Sequence, residues 1–411
     1  MLVGRVLGVD ALAAVGSTGS VNFLILGFCL GICSGCAIPI AQRFGAKDYR
    51  ELRRLVANCV WVCSGIAIVL MTLVSILCRQ ILIMMRTPEN ILDQAHSYIL
   101  IIFLGIPATM LYNMVSAIIR ALGDSKTPLY FLIISSFMNI ALDLIFLVPL
   151  GMGVQGAALA TVISQGTAGL LCLLYMRKNY EVLRLEKEDW KLDTRLMRIL
   201  CGMGVPMGLQ YSITAIGSVI LQTSVNSLGS DAVAAITAAN KVSMFFCCIL
   251  DALGVTMANY GGQNVGARRL DRVREGLKAA GVIGITYAIA SFVVLFFAAR
   301  PLCGLFLGNA RGDLLDQARD FLLITAAFYI ALAFVDEVRY LIQGLGYSRL
   351  AMSAGLCEMV GRVLAGVILV PIWGFAGAGL ASPLAWIIAD AFLFPAYFSV
   401  MKKLEKQFAE G

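Results

Sequence analysis

The chain is written in long apolar runs broken by short polar punctuation. A helix that crosses a bilayer needs about 20 mostly apolar residues. By that measure the pattern predicts eleven spans, at about 11–41, 56–77, 96–119, 128–149, 154–176, 203–225, 232–258, 280–299, 320–343, 350–371 and 374–399. The longest polar stretch, MRKNYEVLRLEKEDWKLDTRLMR, lies between the fifth and sixth runs and reads as an amphipathic linker. The reading is an all-α polytopic membrane protein. Its parts are an N-terminal lobe over 1–176, a linker over 177–202, a C-terminal lobe over 203–401 and a tail over 402–411.

The polar punctuation repeats. LGVDALAAV (7–15) matches LGSDAVAAI (228–236), and QRFGAKDYRELRR (42–54) matches QNVGARRLDRVRE (263–275), both at an offset of 221. ALGDSK (121–126) matches GLGYSR (344–349) at 223, and GVQGAALA (153–160) matches GFAGAGLA (374–381) at 221. Two parallel copies of one bundle are a common transporter plan. They imply pseudo-symmetric lobes of five and six spans about an axis along the membrane normal. The counterpart of 203–225 would fall before Met1, so the repeat implies a helix upstream of the opening MLVG. On that reading the chain as it stands would not transport by itself.

Composition agrees with a membrane chain: 60% of the residues are hydrophobic and 14% charged, against about 25% charged in soluble domains. The net charge of +7 sits in short loops, which excludes nucleic acid as the natural partner. With the C-terminal tail inside, twenty-three Lys and Arg fall on the inner side and six (Arg5, Arg79, Arg86, Arg300, Arg311, Arg319) on the outer. The positive-inside rule then fixes a cytoplasmic C-terminus and an outer Met1. A single histidine, His96, excludes most His-based catalysis and metal binding, so no intramembrane enzyme is expected. Cys33 and Cys36 form CSGC, a spacing found in redox and metal sites. In an apolar span without a nearby His, small-residue packing is the preferred reading, as it is for Cys247 and Cys248.

Ionisable groups within spans are costly, and functional by default. Asn139 and Asp143 are four residues apart, so they share a helix face. The second lobe holds Asp251, Asp336, Glu337, Arg339, Glu358, Arg362 and Asp390. Glu358 and Arg362 stand in the favourable order for an ion pair, and Arg339 on the preceding span can join them. A buried ionic lock and a substrate or proton site are both open for this group.

The stretches IAQRFGAKDYRELRR, IIRALGDSKTPLYFLIISSFMNIALDLIF and GVQGAALATVISQ resemble the multidrug and toxic compound extrusion (MATE) transporters along essentially the whole chain. The resemblance implies twelve helices in two lobes. It implies alternating-access efflux of small amphipathic or cationic substrates, driven by inward H⁺ or Na⁺ and needing no other cofactor or metal. It also implies a monomer in the bacterial inner membrane. Asn139 and Asp143 match the family's cation-site pair, and Tyr98 and Thr161 match its Tyr and Thr. An acidic residue ending the family's first helix would lie just upstream of Met1. Some members carry an acidic residue on the seventh helix, where this chain offers Gln210 and Tyr211. The residues implied for a second-lobe polar network are Gln210, Asp251, Asp336, Arg339, Glu358 and Arg362. The alternatives are a flippase of lipid-linked saccharides, which would favour a basic cavity, and a non-functional fragment.

Overall fold

The computed structural model describes residues 6–85, 87–307 and 312–410. The opening MLVG, together with Arg5, Arg86 and Arg311 of the charge count, lies outside the described residues. The chain folds as two compact units, unit 1 over Met1–Ser212 and unit 2 over Ile213–Gly411. The boundary falls inside a helix and not in the linker.

Unit 1 opens with a short helix α1 (Val9–Ser17) and a long α2 (Gly19–Gly45), then α3 (Tyr49–Met84). Next come α4 (Glu89–Leu104) and α5 (Ile106–Ala121), followed by α6 (Lys126–Leu147) and α7 (Gly153–Asn179). Helix α8 (Thr194–Asn226) begins in unit 1 and ends in unit 2. Unit 2 continues with α9 (Ser230–Gly266), α10 (Leu270–Leu307), α11 (Gly312–Ala326), α12 (Tyr329–Gly344) and α13 (Ser348–Leu364). A π-helical turn (Ala365–Leu369), the short α14 (Val370–Trp373) and α15 (Phe375–Gly379), and α16 (Ala381–Glu410) complete it.

Among the described residues nine helices are long and apolar enough to cross a membrane, and two bent pairs bring the number to eleven. The pairs are α4 with α5, bent by 44°, and α11 with α12, bent by 47°. The sequence reads each pair as one span. Pro107 at the start of α5 explains the first bend, because it has no N–H to continue the ladder. Both units expose large apolar side chains, such as Ile76, Phe137, Phe297 and Val367, as lipid-facing helices do. The chain is a multi-pass membrane protein.

The repeat is visible in the backbone. Lys47 and Arg268 are the non-glycine residues with positive φ among those described, at 58° and 56°, and they are 221 apart. Each ends a helix in the same way: Ala46 and Ala267 donate to Gln42 and Gln263, both at 3.0 Å. Gly8 and Gly229 (φ 88° and 95°), Gly153 and Gly374 (60° and 56°), and Gly123 and Gly346 (99° and 100°) repeat likewise. These turns need the left-handed region, which glycine enters without a Cβ penalty.

Each unit has its own core, with Ile32, Leu52, Ile99, Phe103 and Ile118 in unit 1 and Leu295, Leu322, Tyr329 and Leu341 in unit 2. In unit 1, Gly31 and Gly35 of α2 meet the backbone of Met207, Gly208 and Gly204 of α8. A Cβ on Gly35 would lie 2.6 Å from the Gly204 Cα. Small residues spaced by four let helices approach this closely in lipid. The linker is pinned to the start of α3. Arg53 pairs with Asp189 at 3.3 Å and Arg54 with Asp193 at 2.8 Å, and the Trp61 indole donates to the Trp190 carbonyl at 3.2 Å.

Candidate functional site

Helix α6 is apolar on nearly every side and buries only Pro128, Ser135 and Leu147 among its residues. Asn139 and Asp143 interrupt that surface one turn apart, both half-buried. Their spacing puts both side chains over one stripe of the helix. The Asn139 Nδ2 and one oxygen of Asp143 are shielded from solvent and have no hydrogen-bond partner among the described residues. An unpaired buried amide or carboxylate oxygen costs roughly 1–3 kcal/mol or more.

Three neighbours complete the picture. Ser135 of α6 donates to the Ser164 carbonyl of α7 at 2.8 Å, which sets α6 against α7. Gly105, at the α4–α5 bend, leaves room for Val162 of α7, since any Cβ there would meet that side chain. Tyr98 of α4 is half-buried and within electrostatic reach of Asp143. The structure thus puts Tyr98 within electrostatic reach of Asp143, which lies one turn from Asn139. It treats Thr161 differently: the hydroxyl donates to its own helix, to the Ala157 carbonyl at 3.0 Å. Only its lone pairs remain for a ligand. Gln165, one turn beyond Thr161, has a buried amide oxygen without a partner. Sequence reading passed over it, although a Gln inside an apolar run was the available signal.

In unit 2 a cluster of charged side chains sits among the helices. Arg339 on α12 donates to Asp336 at 2.6 Å and to Glu358 on α13 at 2.5 Å, and Arg362 reaches the other Glu358 oxygen at 3.4 Å. All four are buried. Glu358 is therefore gripped from both sides, more tightly by Arg339 than by its helical neighbour. Gly284 of α10 makes room for the fully buried Glu337, whose two oxygens have no hydrogen-bond partner among the described residues. Asp390 of α16, with one orphaned oxygen, and the exposed Asp251 of α9 lie within electrostatic reach of Arg339 and Glu358. Four carboxylates, those of Asp336, Glu358, Asp251 and Asp390, thus lie within reach of Arg339, while Glu337 is set against α10. Gln210 is buried in unit 1, on the part of α8 whose Gly204 and Gly208 pack on α2. The repeat assigns all of 203–225 to the second lobe, whereas the glycine contacts of Gly204 and Gly208 hold this half of the helix in the first unit.

The MatE family profile matches residues 1–145 and 206–368. The chain is 32% identical over 339 residues to the Bacillus subtilis (strain 168) protein named Probable multidrug resistance protein YoeA, spanning 80% of this chain and 72% of that one. It is 27% identical over 331 residues to Probable multidrug resistance protein YpnP of the same organism, spanning 80% and 73%. A solved structure titled "Crystal structure of MATE in the bent conformation" matches in fold with a TM-score of 0.91, covering 99% of this chain and 91% of that one at 20% identity.

Proposed function

The chain belongs to the MatE family of membrane transporters, and from that premise we propose that it exports small amphipathic or cationic molecules in exchange for entering H⁺ or Na⁺. The names of the two Bacillus relatives supply the multidrug substrate class. The observation that carries the coupling is the orphaned Asp143 oxygen beside Asn139 and Tyr98. A carboxylate left without a partner inside an apolar helix bundle binds a cation or a proton better than water does in the same place. Asp143 would hold the ion, the Asn139 oxygen would share it, and Tyr98 would supply a second oxygen or pass a proton. Loading biases one of two conformations only if ion affinity differs between them, and alternating access provides that difference.

The unit 2 cluster supports a second proton store. Its four carboxylates about Arg339 outnumber its two guanidinium groups, and protons are the smallest charges that can balance the remainder. The same ion pairs speak against a saccharide flippase, since Arg339 and Arg362 are already held by Asp336 and Glu358. The charge distribution along the loops supports insertion in the plasma membrane with the C-terminus cytoplasmic.

The test is efflux of a fluorescent organic cation from proteoliposomes under an imposed H⁺ or Na⁺ gradient. Asp143→Asn should abolish gradient-driven efflux while leaving the size-exclusion profile unchanged. Wild-type efflux from that variant under both gradients would reject Asp143 as the coupling residue.

A further inference from the structure

Five buried cysteines of unit 1 lie on two neighbouring helices, and three of their sulfurs converge. Cys29, Cys33 and Cys36 lie along one stretch of α2, and Cys59 and Cys63 lie one turn apart on α3; all five are buried. The sulfurs of Cys36, Cys59 and Cys63 all lie within 4.8 Å of one another, and those of Cys59 and Cys63 are 3.9 Å apart. Cys33, whose thiol donates to the Met110 carbonyl at 3.8 Å, lies within electrostatic reach of Cys63. A metal held by three sulfurs at about 2.3 Å places them about 4 Å apart. The group therefore needs to contract by less than about 1 Å. Packing alone does not require this convergence, because Ala or Val fills such positions without bringing sulfurs together.

Two further features select the ion. Cys63 lines an apolar cavity of about 340 Å³ together with Met110 and Met114. A second cavity of about 410 Å³ shares Met114 and extends past Met176 to Arg177 and Arg184 beside the linker. Thioethers thus mark the way from the polar linker to the thiols. Thiolate and thioether ligands select soft ions, Cu(I) foremost among monovalent ones. Charge points the same way. A divalent ion with four thiolates would leave two negative charges in the bundle. Two thiolates with a monovalent ion leave one, and the half-buried Arg120 guanidinium lies within electrostatic reach of Cys33. Arg120 hydrogen-bonds Ser116 and has no carboxylate in an ion pair among the described residues.

We propose that Cys36, Cys59 and Cys63, backed by Cys33, form a sulfur-only site in unit 1 that binds one Cu(I). Two thiols ionise on binding, their protons leave along the Met-lined cavities, and no electron is transferred. The site is separate from Asp143 and from the unit 2 cluster, and holds or fails independently of the export reading.

The full chain, purified in detergent under argon with its thiols reduced, is titrated with Cu(I) against a chromogenic Cu(I) chelator. One Cu(I) per chain is expected. Cys36→Ala and Cys59→Ala should each weaken retention by roughly a hundredfold or more, whereas Cys303→Ala on α10, a buried cysteine of unit 2, should not change it. X-ray absorption on the wild-type protein needs no variant and should show sulfur neighbours only, at about 2.3 Å. Nitrogen or oxygen neighbours, equal retention by all variants, or Zn(II) binding that Cu(I) cannot displace would each overturn the site. So would mild oxidation that removes two thiols of a metal-free chain while Cu(I) fails to bind.

Discussion

Helices α6 and α13 are counterparts in the repeat, following glycine turns of the same geometry at Gly123 and Gly346. Yet α6 carries a carboxylate with an unpaired oxygen, and α13 carries one gripped by two guanidinium groups. Their polar positions coincide only in part: at the offset of 223 that these turns share Asn139 meets Arg362, but Asp143 meets Gly366 and Glu358 meets Ser135. Burial differs in step. Helix α6 buries three residues, whereas α13 buries seven, Glu358 and Arg362 among them. What repeats is what the backbone demands. The chemistry of each unit was placed separately: α6 leaves its carboxylate oxygen without a partner among the described residues, and α13 ties its carboxylate into ion pairs.

That contrast breaks most sharply at Glu358. Glu358→Ala leaves Arg362 without its carboxylate and Arg339 with Asp336 alone, at a cost of about 3–5 kcal/mol in folded stability. Glu358→Leu combined with Arg362→Met keeps the Arg339–Asp336 pair and should recover most of the loss. Asp143→Ala, by comparison, should lower the thermal midpoint little. Equal midpoints for Glu358→Ala and Asp143→Ala in the same detergent would erase the distinction between the two units.

A medium effect is expected at Gly284. An added Cβ meets the Glu337 carboxyl and Ala333, so Gly284→Ala should destabilise by about 1–3 kcal/mol through overpacking. Gly65 of α3, whose added Cβ meets nothing within 4 Å, is the control, and Gly65→Ala should be neutral or slightly stabilising.

The smallest effect sharpens the comparison at the turn before each helix. Asp124 accepts from the backbone of Lys126 and Thr127, both at 3.0 Å, and from the Tyr180 hydroxyl at 2.9 Å. Its counterpart Tyr347 offers α13 no side-chain cap. Burial would raise the Asp124 carboxyl, but the hydrogen bonds from Thr127, Tyr180 and Lys126 outweigh it and hold the group below the usual carboxylate range. A depressed value contributes stability that is full above the unfolded carboxylate's pKa, near about 4, and is lost as pH falls through the folded value. Asp124→Asn should cost about 1 kcal/mol at neutral pH. The difference from wild type should shrink in melts taken below about pH 4.

Long apolar runs made the eleven spans and the repeat legible, because lipid forbids almost any other pattern. The bends at Gly105 and Phe328 were less legible, since apolar sequence continues through both; only Pro107 signalled the first. Spacing along one helix was enough to pair Asn139 with Asp143 and Glu358 with Arg362. It was not enough for the thiols: Cys33 and Cys36 look like packing until α3 brings Cys59 and Cys63 beside them. Gln210 shows the same limit from the other direction. A repeat gives ancestry along the chain, whereas Gly31 and Gly35 decide which bundle that part of α8 joins.

The seam between α2 and α8 has a consequence in the genetic code. Every glycine codon begins with two guanines, and changing either one yields a stop codon or Ala, Ser, Cys, Asp, Glu, Val, Arg or Trp. Each of these amino acids carries at least a Cβ. At Gly31, Gly35, Gly204 and Gly208 that atom has the opposing helix at 3.0 Å or closer. The four codons have no conservative missense neighbour. Laboratory or clinical variants of this gene should be depleted of amino-acid changes at these positions, while third-base changes accumulate there freely.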